Sequence, residues 1–320
     1  MKTIDIILPV YNEEEGIAAF HEALASTLHP LENEYRFHII YVLDRSRDNT
    51  LAVLKTLAAD SPNVTVIHLS RRFGHQMSLV AGIDHSRGDA IIMMDCDQQH
   101  PPPVIPRMLR KFEEGYDLVT TVREYDRQTH VLKTWTSRLF YRIQNALSPV
   151  ELQEGGADFR LISSKVANVF QGSIREQNQF LRGLFQWVGF RSATVAFVSP
   201  PRTTGRTKYS GARLLAFAAT GIISFSKVPL RLATLLGFVI SLLSLCYGLW
   251  LLVEYFYAGE FPKGYASLIL VVLFMGGLQL SVLGIVGEYL GSVFDEVNNR
   301  PLYVIDEIIR GEPSLTRSLV

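Results

Sequence analysis

Two carboxylates, Asp95 and Asp97, flank Cys96 directly after the apolar run Ala90–Met94. Acids two residues apart can reach one hard divalent cation or its waters. Oxygen donors of this kind suit Mg²⁺ or Mn²⁺, and Mg²⁺ usually completes its shell with substrate phosphates. An isolated Asp-x-Asp triplet is more often a solvated turn. Its place after an apolar run, with Gln99 two residues on and the break at Pro101-Pro102-Pro103, raises the metal reading.

Three further β-rich runs end in polar clusters. Ile4–Val10 runs through Pro9 and Val10 into Tyr11-Asn12-Glu13, Phe37–Leu43 into Asp44, and Val64–Leu69 into Ser70-Arg71-Arg72-Phe73-Gly74. Ligands of open parallel sheets bind outside the carboxyl ends of the strands, where these clusters would lie. None is a Gly-rich phosphate loop, so nicotinamide and ATPase readings lose their main support.

The elements that must position these clusters alternate. With Asp117–Val122 as a fifth strand, the helical stretches Glu14–Thr27, Thr50–Ala59, Met77–Ser86 and Val104–Glu114 fall between strands. That order predicts an α/β domain with a mostly parallel sheet and flanking helices, ending near Ser210-Gly211. Its span is then 1–210.

The rest of the chain has a different character. Of 320 residues 48% are apolar and 19% charged, which argues against disorder. Lys plus Arg equals Asp plus Glu at 31 each, so there is no global footprint for nucleic acid. Two cysteines, Cys96 and Cys246, cannot form a disulfide framework. Leu232–Val253 and Gly264–Gly287 hold 22 and 24 residues without Asp, Glu, Lys or Arg. At 1.5 Å per residue, helices of that length span roughly 33–36 Å, enough to cross a bilayer core. The expected arrangement is a transmembrane hairpin at 232–287, preceded by membrane-surface helices at 211–231 and followed by a cytosolic tail at 288–320. The N-terminus lacks the pattern of a signal peptide. Arg213, Lys227 and Arg231 precede the first span and Lys263 alone marks the outer turn, so positive-inside counting puts both chain ends in the cytoplasm of an inner-membrane, multi-pass protein. Gly276-Gly277 would permit close helix packing in a homo-oligomer.

In order along the chain, Leu8-Pro9-Val10-Tyr11-Asn12-Glu13-Glu14, Ser70-Arg71-Arg72-Phe73-Gly74-His75, Asp95-Cys96-Asp97-Gln98-Gln99-His100-Pro101, Asp158-Phe159-Arg160-Leu161, Phe180-Leu181-Arg182-Gly183-Leu184 and Gly287-Glu288-Tyr289-Leu290-Gly291 form a set. This set, with the two-span tail, resembles the inverting family-2 glycosyltransferases of GT-A fold. It is most similar to the polyprenyl-phosphate branch that includes bactoprenol glucosyltransferases and dolichol-phosphate mannose synthases. The resemblance implies transfer of a sugar from a nucleotide donor, with UDP-glucose favoured, to polyprenyl phosphate. It implies that Pro9, Tyr11, Glu13 and Asp44 hold base and ribose, with Arg71 and Phe73 flanking the base. Asp95 and Asp97 would hold nucleotide and Mg²⁺ or Mn²⁺, with Asp97 the direct ligand and Gln99 assisting. Arg123 would reach the donor. Asp158 and Arg160 would sit by the transferred sugar or acceptor phosphate. Arg202 and Lys208 would close over the phosphates.

The chain departs from that pattern at Leu43-Asp44-Arg45-Ser46, where relatives carry a Gly after the acid, at Gln98-Gln99-His100, and at Gly155-Gly156-Ala157. Three other readings compete. The first is transfer to a lipid hydroxyl, which would need Asp158 as a base. The second is a membrane-docked binding protein of the same fold. The third is a transporter, which two spans without an intramembrane charge disfavour.

Overall fold

The computed structural model describes residues 1–97, 99–124, 156–198, 228–258 and 264–311. In chain order its main elements are β1 (Lys2–Val10), α1 (Ile17–Leu28), β2 (Tyr35–Leu43), α2 (Thr50–Asp60), β3 (Val64–Leu69), α3 (His75–His85), β4 (Ala90–Met93), α4 (Ile105–Glu113), β5 (Leu118–Glu124), β6 (Gly156–Ser163), α5 (Ser164–Gly172), α6 (Leu181–Trp187), β7 (Ser192–Val198), α7 (Val228–Ala258), α8 (Tyr265–Val297) and β8 (Ile305–Arg310).

The strands form one sheet in the order β7-β5-β6-β4-β1-β2-β3-β8. β1 runs parallel to both β2 and β4, and β2 parallel to β3. β6 is antiparallel to β4 and β5, and β8 antiparallel to β3. The sheet is therefore mixed. β5 and β7 also pair in parallel, so the mostly parallel expectation holds for four of the seven pairings, and the antiparallel pairings of β6 and β8 are the exceptions.

Side chains alternate across the sheet with the strand period of two. On β1, Ile4, Ile6 and Leu8 join one apolar layer with Phe20 and Leu24 of α1, Leu54 of α2 and Met108 of α4. Ile7 joins the opposite layer with Leu79 and Ile83 of α3, Phe170 of α5 and Leu184 of α6. Both faces are covered, which is why β1 reads as a continuous apolar run. Gly82 lets α3 lie close on β1, since a Cβ there would collide with the side chain of Ile7. Asp5 is buried in this strand because its Oδ2 accepts the backbone N–H groups of Arg87 (2.6 Å) and Gly88 (2.8 Å).

β1 has β2 on one side and β4 on the other. The chain therefore reverses direction across the sheet between β3 and β4, and a crevice opens at the carboxyl ends of β1 and β4.

The hairpin helices obey different rules. α7 has 31 residues and α8 has 33, and both carry long windows of high mean hydropathy with almost no burial. Phe238 and Leu243 are exposed, as are Leu280 and Leu283. A helix apolar on all sides, without a protein layer around it, suits a hydrocarbon solvent. After α8 the chain does not trail away as the sequence suggested for 288–320. Residues 305–310 return to the sheet as its last strand, paired with β3. Of the expected membrane-surface helices, residues 211–227 lie outside the described residues.

Candidate active site

Loops from four parallel strands meet at the crevice. After β1, Asn12 sits at φ 54, a left-handed conformation that Asn tolerates. Its backbone N–H donates to Ser46 Oγ at 2.9 Å, and its Oδ1 accepts from Arg47 N at 2.9 Å. Glu13 N donates to Thr50 Oγ1 at 3.0 Å. The β1 and β2 loops are thus one hydrogen-bonded unit, and Tyr11 is presented from it with Arg72 lying over its ring at 4.1 Å.

Asp44 was expected to face the ribose or base. Instead it is 3% exposed, and its two oxygens accept Phe73 N (2.7 Å) and Gly74 N (2.9 Å). Its observed work is to clasp the 70–74 loop to the end of β2. Gly74 at φ 96 supplies the turn that this clasp requires. Arg45, the residue in place of the family's usual Gly, is absent from the positive-φ positions. Its Nη1 donates to the carbonyl of Ser70 at 2.8 Å, so it adds a second tie to the same loop. Arg71 stacks over Phe73 at 4.0 Å, so these two side chains lie together on the 70–74 loop.

At the end of β4, Asp95 Oδ1 is 2.7 Å from His75 Nε2, at the first turn of α3. The Asp95 backbone N–H donates to Nδ1 of His100 at 2.8 Å. His100 is fully buried against Phe159 and Phe197, and burial first of all lowers its pKa. With Nδ1 accepting, Nε2 carries the proton, and the 3.3 Å approach of Arg123 Nη2 is a contact, not a strong bond. Arg123 Nε is buried, with no hydrogen-bond partner among the described residues. Burial raises the pKa of Asp95, but His75 and His100 outweigh it and hold the carboxyl at about 2. Burial likewise opposes charge on His75, yet Asp95 and then Asp158 hold it up at about 9.

Asp97 is half-buried, and its Oδ1 accepts Gln99 N at 3.1 Å. Cys96 points inward and donates to the carbonyl of Pro9 at 3.5 Å. Burial, then the charges of Glu13, Asp95 and Asp97, push its thiol well up, so it is held as an unreactive thiol.

Asp158, on β6, was expected to act on sugar or acceptor. Its Oδ1 accepts Arg182 Nε (2.9 Å) and Arg160 Nη2 (3.1 Å), and its Oδ2 accepts Arg182 Nη2 (2.7 Å). Burial opposes its ionisation, but Arg182 and then Arg160 hold it far below the carboxylate range. Arg160 was expected to reach the substrate. It is 4% exposed, donates to the Ala157 carbonyl and lies over Phe185 at 4.9 Å. The outward guanidinium is that of Arg182, whose side chain is 34% exposed.

Arg182 and His75 are functional candidates that sequence reasoning left without a role. Arg182 is the one charged residue between Gln177 and Phe190, a signal of a buried ionic partner. Arg202 and Lys208 lie outside the described residues, as does Gln98.

Among the described residues, no group of three or more His, Cys, Asp or Glu side chains could hold a metal by itself. A half-buried Asp97 beside an ionised Asp95 fits a Mg²⁺-type cation that takes most of its shell from water and a diphosphate.

Residues 5–170 match the model of glycosyl transferase family 2. The chain belongs to glycosyl transferase family 2. Residues 228–293 match a second model, the GtrB C-terminal hairpin, which coincides with α7 and most of α8. An uncharacterized glycosyltransferase of Synechocystis sp. is 39% identical over 95% of this chain and 95% of its own length. A prophage-derived bactoprenol glucosyl transferase of Shigella flexneri is 38% identical over 97% of this chain and 99% of its own. Among solved structures, glucosyl-3-phosphoglycerate synthase from Mycobacterium tuberculosis with Mn²⁺, UDP-glucose and phosphoglyceric acid matches at TM-score 0.44 and 19% identity, over 69% of this chain and 78% of that one. The mixed sheet with flanking helices is the GT-A-like domain of this family, and the apolar hairpin follows it.

Proposed function

We propose that this family-2 glycosyltransferase moves a hexose, with inversion, from a nucleotide-sugar donor to polyprenyl phosphate, giving a lipid-linked sugar for cell-surface glycans. The donor favoured is UDP-glucose. The observation that carries the reading is the engagement of Asp158. Both of its oxygens are held by arginines and its pKa is far below the usual range, so it is a poor proton acceptor. An acceptor hydroxyl needs a base, whereas a phosphate monoester is already an anion at pH 7 and needs only placement. The relatives named as bactoprenol glucosyl transferases support the same acceptor class.

In the displacement, an acceptor phosphate oxygen bonds to the anomeric carbon as the bond from that carbon to the nucleoside diphosphate breaks. Tyr11, Glu13 and the Asp44-held Phe73 loop hold the base and ribose end of the donor. Pro9 and Arg71 complete that wall. Arg182, oriented by Asp158, faces the anionic reactants, and buried Arg160 fixes Asp158. Arg123 is assigned to the donor, and the family resemblance assigns Arg202 and Lys208, outside the described residues, to its phosphates. Asp97, with Gln99 and the neighbouring Asp95, would hold Mg²⁺ or Mn²⁺. When bound, that cation neutralises the leaving diphosphate.

β8 bears on the membrane arrangement. The pairing of β8 with β3 supports a hairpin in which α7 crosses and α8 returns the chain to the side of the catalytic sheet. Two crossings leave both ends with the catalytic sheet, on the cytoplasmic side by the positive-inside count. Gly276 and Gly277 face open space within the chain and would pack against another copy in a homo-oligomer.

The test offers the full chain in vesicles a panel of labelled nucleotide sugars with either polyprenyl phosphate or diacylglycerol. Label in the phosphate lipid alone is the expected result. Label in diacylglycerol would replace this reading with hydroxyl transfer, and binding of donor without product would favour the binding-protein reading.

A further inference from the structure

The hairpin is joined to the catalytic sheet by more than chain continuity. α8 stops where Asn299 takes φ 45, and the chain turns back toward the sheet. Glu296, still inside the helix, accepts the backbone N–H of Gln177 on Oε2 at 2.9 Å, and Gln177 Nε2 donates to the carbonyl of Arg300. Leu302 is buried in the apolar layer shared by α3, α5 and α6. Tyr303 donates its O–H to Asp84 Oδ2 at 2.7 Å, and Arg175 Nη1 grips the same carboxylate at 2.7 and 2.9 Å. The carbonyl of Val304 then accepts Ser70 N at 2.9 Å, just before β8 begins.

The two segments gripped in this way are the ones that lead into the site. Ser70 opens the loop held by Asp44 and Arg45. Gln177 stands five residues before Arg182, whose guanidinium holds Asp158. The far end of that stretch is fixed too, because Gln76, beside His75, accepts Leu181 N on Oε1 at 3.3 Å. A strap running from Glu296 to Val304 therefore holds two segments that lead into the site, while its other end is the apolar helix α8. An acceptor anchored in lipid presents its phosphate in one plane. A misplacement of about 1 Å can cost on the order of 10²-fold in rate.

Building on the polyprenyl-phosphate reading, we infer that the strap Glu296–Val304, fastened by Gln177, Arg175 and Tyr303, is a positioning device that sets the height and tilt of the Asp158–Arg182 pair over the membrane-embedded acceptor. Gln177 and Tyr303 act through the segments they hold and touch no reacting group. Loosening the strap should therefore harm transfer to an acceptor fixed in a membrane and spare transfer to one that diffuses freely into the crevice.

The experiment compares polyprenyl phosphate in vesicles with a short, water-soluble prenyl phosphate, and measures donor binding by calorimetry. Wild-type chain that transfers to neither acceptor removes the underlying reading, and the strap inference with it. Where wild type transfers to both, Gln177→Ala should lose about tenfold in kcat/KM for the vesicle acceptor, stay within about twofold for the soluble one, and keep its donor affinity. Tyr303→Phe keeps the ring in place, removes only the O–H bond, and should show the same split at about threefold. Equal losses on both acceptors, or no loss on the vesicle acceptor, in these two variants would overturn the inference.

Discussion

The sheet and the hairpin use the same apolar residues in opposite ways. Ile4, Ile6 and Leu8 of β1 are fully buried under the helices on one face of the sheet, whereas Phe238 of α7 is 67% exposed and Tyr257 is 91% exposed. In the sheet, every second residue answers to one face, and polar groups sink into the fold only with partners. Asp5, Asp44 and Asp158 each have two or more donors. In the hairpin, large apolar residues are exposed along both helices, and charged residues are missing from Leu232–Val253 and Gly264–Gly287. Apolar content alone therefore does not identify a core. Periodicity and partnered charges do, and the charge-free apolar stretches Leu232–Val253 and Gly264–Gly287 suit a hydrocarbon solvent.

The sharpest way to break this comparison is to make the same kind of truncation in both regions. Ile6→Ala should cost the sheet about 2–5 kcal/mol, read by denaturant unfolding of the full chain in detergent. Leu243→Ala in α7 should leave that transition within about 0.5 kcal/mol, because no core cavity forms. Similar losses at both sites would mean the hairpin is part of the folded core.

Within the catalytic region, Arg182→Lys keeps the charge and removes the planar two-point grip on Asp158. Transfer should fall roughly tenfold to a hundredfold with donor affinity unchanged. An unchanged rate would leave Arg182 a purely structural partner.

A smaller effect is expected at Asp44. Asp44→Asn replaces one acceptor of the Phe73 and Gly74 amides with a donor, at a cost of about 1–3 kcal/mol in stability and with weaker nucleotide binding. Calorimetry with UDP and a melting curve check both arms. Weaker binding without lost stability would return Asp44 to direct ribose contact.

The mildest test is pH. His75 has its pKa raised from 6.5 to about 9, so its contribution is complete below 6.5 and fades as pH rises toward 9. Asp95 has its pKa lowered from 3.8 to about 2, so its contribution is complete above 3.8 and fades as pH falls toward 2. The difference in Tm between wild type and His75→Gln should therefore be flat between these limits, from about pH 4 to 6.5, and shrink from 6.5 to 9. A difference that grows with pH would contradict the pair.

Much of this was legible in advance, for physical reasons that differ by element. β1, β2 and β4 are buried on both faces and announce themselves as apolar runs, and Val64–Leu69 was read at its observed bounds. β6, β7 and β8 were not read as strands. β6 carries Asp158 and Arg160, which are buried only because distant Arg182 completes the cluster. β8 alternates Asp306, Ile308 and Arg310 with half-buried neighbours at the sheet edge, and its partner β3 lies more than two hundred residues away. The site was legible as residue types and less so as roles. Asp97, Tyr11 and Phe73 lie at strand ends as anticipated. The clasp by Asp44, the inward turn of Arg160 and the work of Arg182 depend on hydrogen bonds between loops that no local pattern encodes.

The most direct test places full-length wild type and Asp97→Ala side by side in vesicles with polyprenyl phosphate, Mn²⁺ or Mg²⁺ and labelled nucleotide sugars. The expected outcome is lipid-linked label from wild type and a loss of about 10²-fold or more in the variant, with the variant still folded. Equal product from both proteins would contradict the account at its centre, because the paired acids beside β4 would then have no part in the chemistry.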